Sequence, residues 1–197
     1  MTNSITRATD IKPDFKKVKE MWHKMLNRYF DDNGELKKEN TKNVNCPYCK
    51  SNKSSGEFKI NGFIHITCDN CNTVYVTPRL KDKYVDLLYS DEYYSELYIK
   101  SMIPAFEKRK KLIGQRKFDQ VLNYSVNKGS VLDIGCGVGE VIDVFKDSNW
   151  DCHAIEFNPG AVKWLKEKGI NVSSVHFNEY ISDIKFDVIM AWGVVEH

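Results

Sequence analysis

Nowhere in these 197 residues does an apolar run approach the ~18–20 residues that a membrane-spanning helix needs, so no membrane partner is expected. Residues 1–10 have no apolar core of the kind a secretory leader carries. Net charge is scarce as well. The 29 basic and 27 acidic residues leave +2, too little to argue for a nucleic acid or a membrane surface as a general partner. The expectation from these absences is a cytoplasmic protein. In that compartment the six cysteines should be metal ligands or free thiols, not disulfides. With 42% hydrophobic and 28% charged residues, the chain has the composition of one large soluble domain or two small ones.

What is present concentrates in residues 131–139, Val-Leu-Asp-Ile-Gly-Cys-Gly-Val-Gly. Val131, Leu132 and Ile134 form a short β-branched run without polar alternation, which predicts a buried parallel strand. Glu140 to Lys146 resumes an apolar pattern at helical spacing through Val141, Ile142, Val144 and Phe145. Between them Gly135, Gly137 and Gly139 let a ligand touch backbone, with helix amides pointing at it. A dinucleotide fingerprint would want its third glycine at position 140, which is Glu. A carboxylate there repels a pyrophosphate. Asp133 at the end of the strand instead suits a ligand that carries a cation and no phosphate, such as an ammonium. A second strand over 151–157 ends in Glu156, 21 residues past Gly135, where an acid accepts from both hydroxyls of a ribose. Phe157 beside it offers a flat face for a base.

Two Cys-x2-Cys knuckles, Cys46/Cys49 and Cys68/Cys71, are separated by 18 residues. That spacing belongs to a tetrahedral zinc site. The intervening 56–60 and 63–67 read as a hairpin around Asn61-Gly62, and 74–77 as a third strand. The expected element is a zinc ribbon at 44–79, too small to bury a core and dependent on its metal. Four cysteines close the coordination sphere, so the zinc is structural. His65 on the hairpin is expected as a strand residue, not a ligand.

Elsewhere, 14–30 places Phe15, Val18, Met21, Trp22, Met25, Leu26 and Tyr29 at the spacing of an amphipathic helix, and this helix leads a helical arm over 1–43. Its apolar stripe is expected against a neighbouring domain or a second subunit, so a homo-oligomer is compatible with the pattern. Residues 35–43 read as a charged linker. Residues 80–128 read as a helical lid or linker. They include a tyrosine-dense segment (Tyr84, Tyr89, Tyr93, Tyr94, Tyr98) and a helix over 105–124 with a solvated basic face of Lys108, Arg109, Lys110, Lys111, Arg116 and Lys117. Asn158-Pro159 starts a further helix that ends at Gly169, and strands are expected over 170–176 and 186–192.

Residues 131–139, Glu156 and 186–197 together resemble the motifs of class I S-adenosylmethionine-dependent methyltransferases. With the cysteine knuckles, the arrangement over 44–197 is similar to bacterial polysaccharide, secondary-metabolite and deoxysugar C-methyltransferases that carry an N-terminal ribbon. The resemblance implies an α/β, Rossmann-like sheet at 129–197 and a small-molecule acceptor such as a sugar or sugar nucleotide. It also implies cofactor contacts from Asp133, Gly135, Cys136, Gly137, Gly139, Glu156, Phe157, Trp192 and Tyr94. A histidine after the fourth strand serves as base in the sugar C-methyltransferases; His197 holds the similar place, with Glu196 to orient it. The same pair also resembles the Glu-His of ubiquinone-type O-methyltransferases. The Glu-x-x-Glu-His metal site of small-RNA methyltransferases is interrupted, since position 193 is Gly.

The implied sheet has seven strands in the order 3-2-1-4-5-7-6, of which only the first four are read here. The expectation is therefore a chain truncated after its fourth strand and inactive by itself. Two other classes are compatible with the residues: an RNA methyltransferase that uses the ribbon and basic helix to hold RNA, and a non-catalytic scaffold.

Overall fold

The computed structural model describes residues 11, 15–89, 91–124 and 128–195, which fall into two compact units. One comprises residues 19–88; the other comprises residues 89–197 together with 1–18.

α1 (Phe15–Asn27) follows the apolar spacing, and along it Met21 and Met25 of the first unit are buried. Tyr29, just past its end, is buried against Tyr84 with ring centroids 5.4 Å apart. The following turn closes on Asp31, whose Oδ1 accepts from the amides of Asn33 and Glu35. Residues 35–43 are more ordered than a linker. They hold a 3₁₀ turn, Lys38–Asn40, and β1 (Thr41–Lys42). Next come β2 (Ser54–Ile60), β3 (Phe63–Cys68) and β4 (Val74–Val76), an antiparallel sheet in the order β2-β3-β4. The turn is at Asn61-Gly62 as expected, both with positive φ, which an Asn-Gly pair tolerates best. β2 is an edge strand, and all seven of its residues are exposed. β5 (Arg79–Leu80) pairs antiparallel with β1, and α2 (Asp82–Tyr89) follows.

The second unit begins its described helices with α3 (Glu92–Met102), capped by Asp91, which accepts from the Tyr94 amide at 3.0 Å. The helix expected over 105–124 is interrupted. A 3₁₀ turn (Ile103–Ala105) leads into α4 (Phe106–Arg109), then a π turn (Lys110–Gly114), then α5 (Gln115–Leu122). At ~100° per residue, an unbroken α-helix would set Arg109 and Phe118 on opposite faces. The wider π turn absorbs about one residue and rotates the two toward one side. Both are buried.

Four parallel strands follow: β6 (Ser130–Ile134), β7 (Asp151–Ile155), β8 (Asn171–Ser173) and β9 (Val188–Ala191), in the order β8-β7-β6-β9. Between them run α6 (Ile142–Asp147) and α7 (Pro159–Glu167). Numbered in chain order within the sheet, this is the 3-2-1-4 order of a Rossmann-like arrangement. α6 starts two residues later than the apolar pattern predicts, and β8 and β9 are shorter than 170–176 and 186–192. Ile189 on β9 is 63% exposed, so that strand is not covered on both faces despite its apolar sequence. The core lies between β6, α5, α6 and α7, where Val131, Ile142, Phe145 and Leu165 are fully buried. Phe145 meets Phe118 and Trp150 edge-on, at 4.7 and 5.2 Å. No helix among the described residues is long and apolar enough to cross a membrane.

Candidate functional site

The carboxyl ends of β6 and β7 are tied to each other by backbone and by one carboxylate. The Gly135 amide donates to the Ile155 carbonyl at 2.8 Å. Glu156, the first residue past β7, accepts from the Gly137 amide at 2.6 Å through Oε2, and from the Phe157 and Asn158 amides, each at 2.8 Å, through Oε1. The glycines are required by more than conformation. Gly137 has φ +60°, and a Cβ on it would stand 2.7 Å from the Tyr98 hydroxyl. Gly139 has φ +80°, and a Cβ on it would stand 2.5 Å from Leu165 Cδ2. The loop thus presents bare backbone at the switch point of the sheet, where ligands of open α/β folds bind. Phe157 is 45% exposed beside Glu156, as a residue offering its face to a ligand must be. Its ring lies 5.9 Å from that of His176.

Beneath the loop is a dense set of charges. Asp133 is 2% exposed; burial, then the carboxylates of Glu140 and Glu156, push its carboxyl well above the usual range, with Lys117 opposing. Glu140 does not sit free at the loop. It forms a buried ion pair with Arg109, whose Nη1 also donates to the Ile11 carbonyl at 2.7 Å. Among the described residues, Arg109 Nε is buried without a partner. The basic face expected in solvent is therefore partly engaged: Lys110 pairs with Asp143 at 2.7 Å and with Asp147 at 2.5 Å. Lys117 stands 4.6 Å from the Trp192 ring centroid. Gly114 makes this docking close, for a Cβ there would stand 2.1 Å from the Glu140 carbonyl oxygen.

A wall over the loop comes from α3. The Ser95 hydroxyl donates to Asn158 Oδ1 at 2.7 Å, and the same Oδ1 accepts from the Ala161 amide and so caps α7. Ile99 packs against Gly160, where a Cβ would stand 2.6 Å from its Cγ1. α3 then brings the Tyr98 hydroxyl to Gly137. Tyr94, one turn earlier, stacks on the Tyr98 ring with centroids 6.2 Å apart.

The second candidate site belongs to residues 19–88. The sulfurs of Cys46, Cys49, Cys68 and Cys71 all lie within 4.8 Å of one another. Cys49 and Cys68 are 3.5 Å apart, and Cys46 and Cys71 are 3.6 Å apart. Four thiolates bound at ~2.3 Å around a tetrahedral ion stand near these separations, so the donor set fits zinc. Burial pushes the Cys68 thiol up to about 11, while hydrogen bonds from the Asn70 side chain and the Ser51 backbone bring Cys49 down to about 6. His65 lies outside the set. Its Nδ1 is 3.0 Å from the Phe63 carbonyl, and its ring stacks on Phe58.

Of the residues singled out in the sequence, the structure brings Asp133, Gly135, Gly137, Gly139 and Glu156 to one loop, and the four cysteines to one cluster. Cys136 is half-buried within the glycine turn, and burial raises its thiol well above the ordinary value. Trp192 is half-buried, with its Nε1 donating to Met190 Sδ at 3.3 Å. His197 and Glu196 lie outside the described residues. Sequence reasoning did not single out Ser95, Asn158 or the Arg109–Glu140 pair as parts of the site. Their only signals were an acid in an unexpected place at 140 and an Asx cap at 158.

A parallel sheet in this order, with a glycine turn after its first strand and an acid after its second, is a Rossmann-like arrangement with its loop at the switch point. In agreement, residues 105–197 match a family model described as a methyltransferase domain. No curated protein matches the chain significantly. Among solved structures, the plantazolicin methyltransferase BpumL in complex with SAH is similar at 22% identity and a TM-score of 0.40, over 54% of this chain and 44% of that one. The glycopeptide N-methyltransferase MtfA complexed with sinefungin is similar at 15% identity and a TM-score of 0.36, over 40% and 36%. A S-adenosylmethionine-dependent methyltransferase from Clostridium acetobutylicum follows at 17% and 0.33, over 50% and 42%. The chain thus spans less than half the length of each of these structures.

Proposed function

We propose that the chain binds S-adenosylmethionine at the 135–139 loop and takes part in methyl transfer to a small-molecule acceptor, with a structural zinc at the four cysteines. One observation carries this reading. The Glu156 carboxylate is held at the tip of β7 against the Gly137 amide, within a turn of three glycines at positive φ. An acid so placed suits a ribose diol, and Phe157 beside it suits the base. The buried Asp133 suits an ammonium, because a nearby cation offsets the burial and carboxylate repulsion that otherwise favour its neutral form. The cofactor, when bound, supplies an electrophilic methyl group on a sulfonium. The chain's own task is then to orient the two reactants and to exclude water. His197 stands as the proposed base for the acceptor, with Glu196 orienting it. A sugar or sugar nucleotide is the acceptor class implied by the sequence resemblance to ribbon-bearing deoxysugar C-methyltransferases.

The reading is tested by calorimetry with S-adenosylmethionine on the wild type and on Glu156→Ala. The variant should bind about ten- to a hundredfold more weakly, the loss expected for charge-assisted hydrogen bonds of ~1.5–3 kcal/mol. Equal affinity in both would place the ribose elsewhere.

A further inference from the structure

The Tyr98 hydroxyl is a donor that, among the described residues, has no hydrogen-bond partner. Yet it is not a surface group. It stands 2.7 Å from the point a Gly137 Cβ would occupy, over the backbone on which the proposed ligand would lie. Burial, then the carboxylates of Glu140 and Glu156, raise its pKa, so the phenol keeps its proton at neutral pH.

The methionyl end of the proposed cofactor is a zwitterion, and each half needs an opposite partner. Three acids, Asp133, Glu140 and Glu156, surround the loop and suit an ammonium and a diol. Ionised, as Asp133 would be beside an ammonium, none of them donates to a carboxylate. Of the nearby cations, Arg109 gives Nη2 to Glu140 and Nη1 to the Ile11 carbonyl, and Lys117 lies over the Trp192 ring. The side-chain donor that stands directly over Gly137 is Tyr98. It is also pre-positioned, since α3 is held by the Ser95–Asn158 hydrogen bond and by Ile99 against Gly160.

We propose that Tyr98 is a cofactor-positioning residue whose hydroxyl donates to the methionyl carboxylate of S-adenosylmethionine. This rests on the functional reading above and assigns one of its contacts. The probes are S-adenosylmethionine and its decarboxylated form, which keeps the sulfonium and the amine and lacks only the carboxylate. Calorimetry on wild type and Tyr98→Phe, with thermal melting of both unliganded proteins as a fold control, gives the test. Tyr98→Phe should bind S-adenosylmethionine about tenfold more weakly, bind the decarboxylated form as the wild type does, and melt at the wild-type temperature. An equal loss for both ligands, a loss for neither, or a melting shift that accounts for the weaker binding overturns the assignment. A wild-type chain that binds neither ligand refutes the functional reading itself, a different outcome from a Tyr98→Phe variant that matches a binding wild type.

Discussion

Around the cysteine cluster, Tyr75 is, among the described residues, the one buried side chain besides Cys46 and Cys68, and the longest strand of that sheet is exposed at every residue. In the parallel-sheet unit, eleven buried side chains make one core, with Phe145 enclosed by Phe118 and Trp150. The difference shows two ways of holding a short chain in shape. A three-stranded sheet of this size has too little apolar surface to offset its conformational entropy, and on the proposed reading metal–thiolate bonds supply the difference. A sheet with helices against it has surface enough, and it tolerates buried charge at its functional end.

The comparison is broken most severely by removing the metal. Structural zinc contributes ~10–16 kcal/mol in small zinc-finger peptides, so chelation or Cys46→Ser should abolish the fold of the ribbon and leave the parallel sheet intact. Amide signals of residues 44–77, followed by NMR alongside those of β6 and β7, check this; ribbon signals that survive complete metal removal would falsify it. Next in size is Phe145→Ala. It empties the centre of the second core and should cost about 3–5 kcal/mol in urea unfolding, while the metal stoichiometry stays the same.

Arg109→Ala should be of similar cost, about 3–5 kcal/mol, because it leaves Glu140 buried and unpaired. Replacing both partners by apolar residues of like volume should recover much of the loss. A double variant as unstable as the single one would show that the pair is not what matters. Asp133 gives a pH-dependent effect. Its folded-state value is raised, so the native state binds the proton more tightly than the unfolded chain does. Stability is therefore lost as pH rises from the unfolded carboxylate value, ~3.9, through the raised one. Asp133→Asn should remove that slope and gain on the wild type between pH 4 and neutrality, as read from urea midpoints across the range. The smallest effect is expected at Phe58 on the exposed β2. It is 45% exposed and stacks on His65, so Phe58→Ala should change stability by about 0.5 kcal/mol or less.

The features that could be read in advance are local ones. Cysteine spacing, the Asn61-Gly62 turn, the Asn158-Pro159 start of α7 and its end at Gly169 each depend on a few neighbouring residues. Elements misjudged in advance were those whose form depends on distant neighbours. β1 exists because β5 lies beside it, although 35–43 is charged enough to look like a linker. The helix over 105–124 takes a π turn where Gly114 meets the Glu140 carbonyl, which no periodicity within that helix announces.

The sequence by itself determined the glycine turn between a buried strand and a helix, the acid placed after the next strand, and the two cysteine knuckles. Backbone conformation and ligand spacing are written within short stretches of chain. Only the tertiary structure decided that Glu140 is paired with Arg109, that Ser95 holds Asn158 from 63 residues away, and that Tyr98 rather than its neighbours reaches Gly137. Each of these joins side chains far apart in the sequence. The pairing depends on how α3, α4 and α5 pack against the ends of β6 and β7, and no spacing rule in the chain specifies that packing.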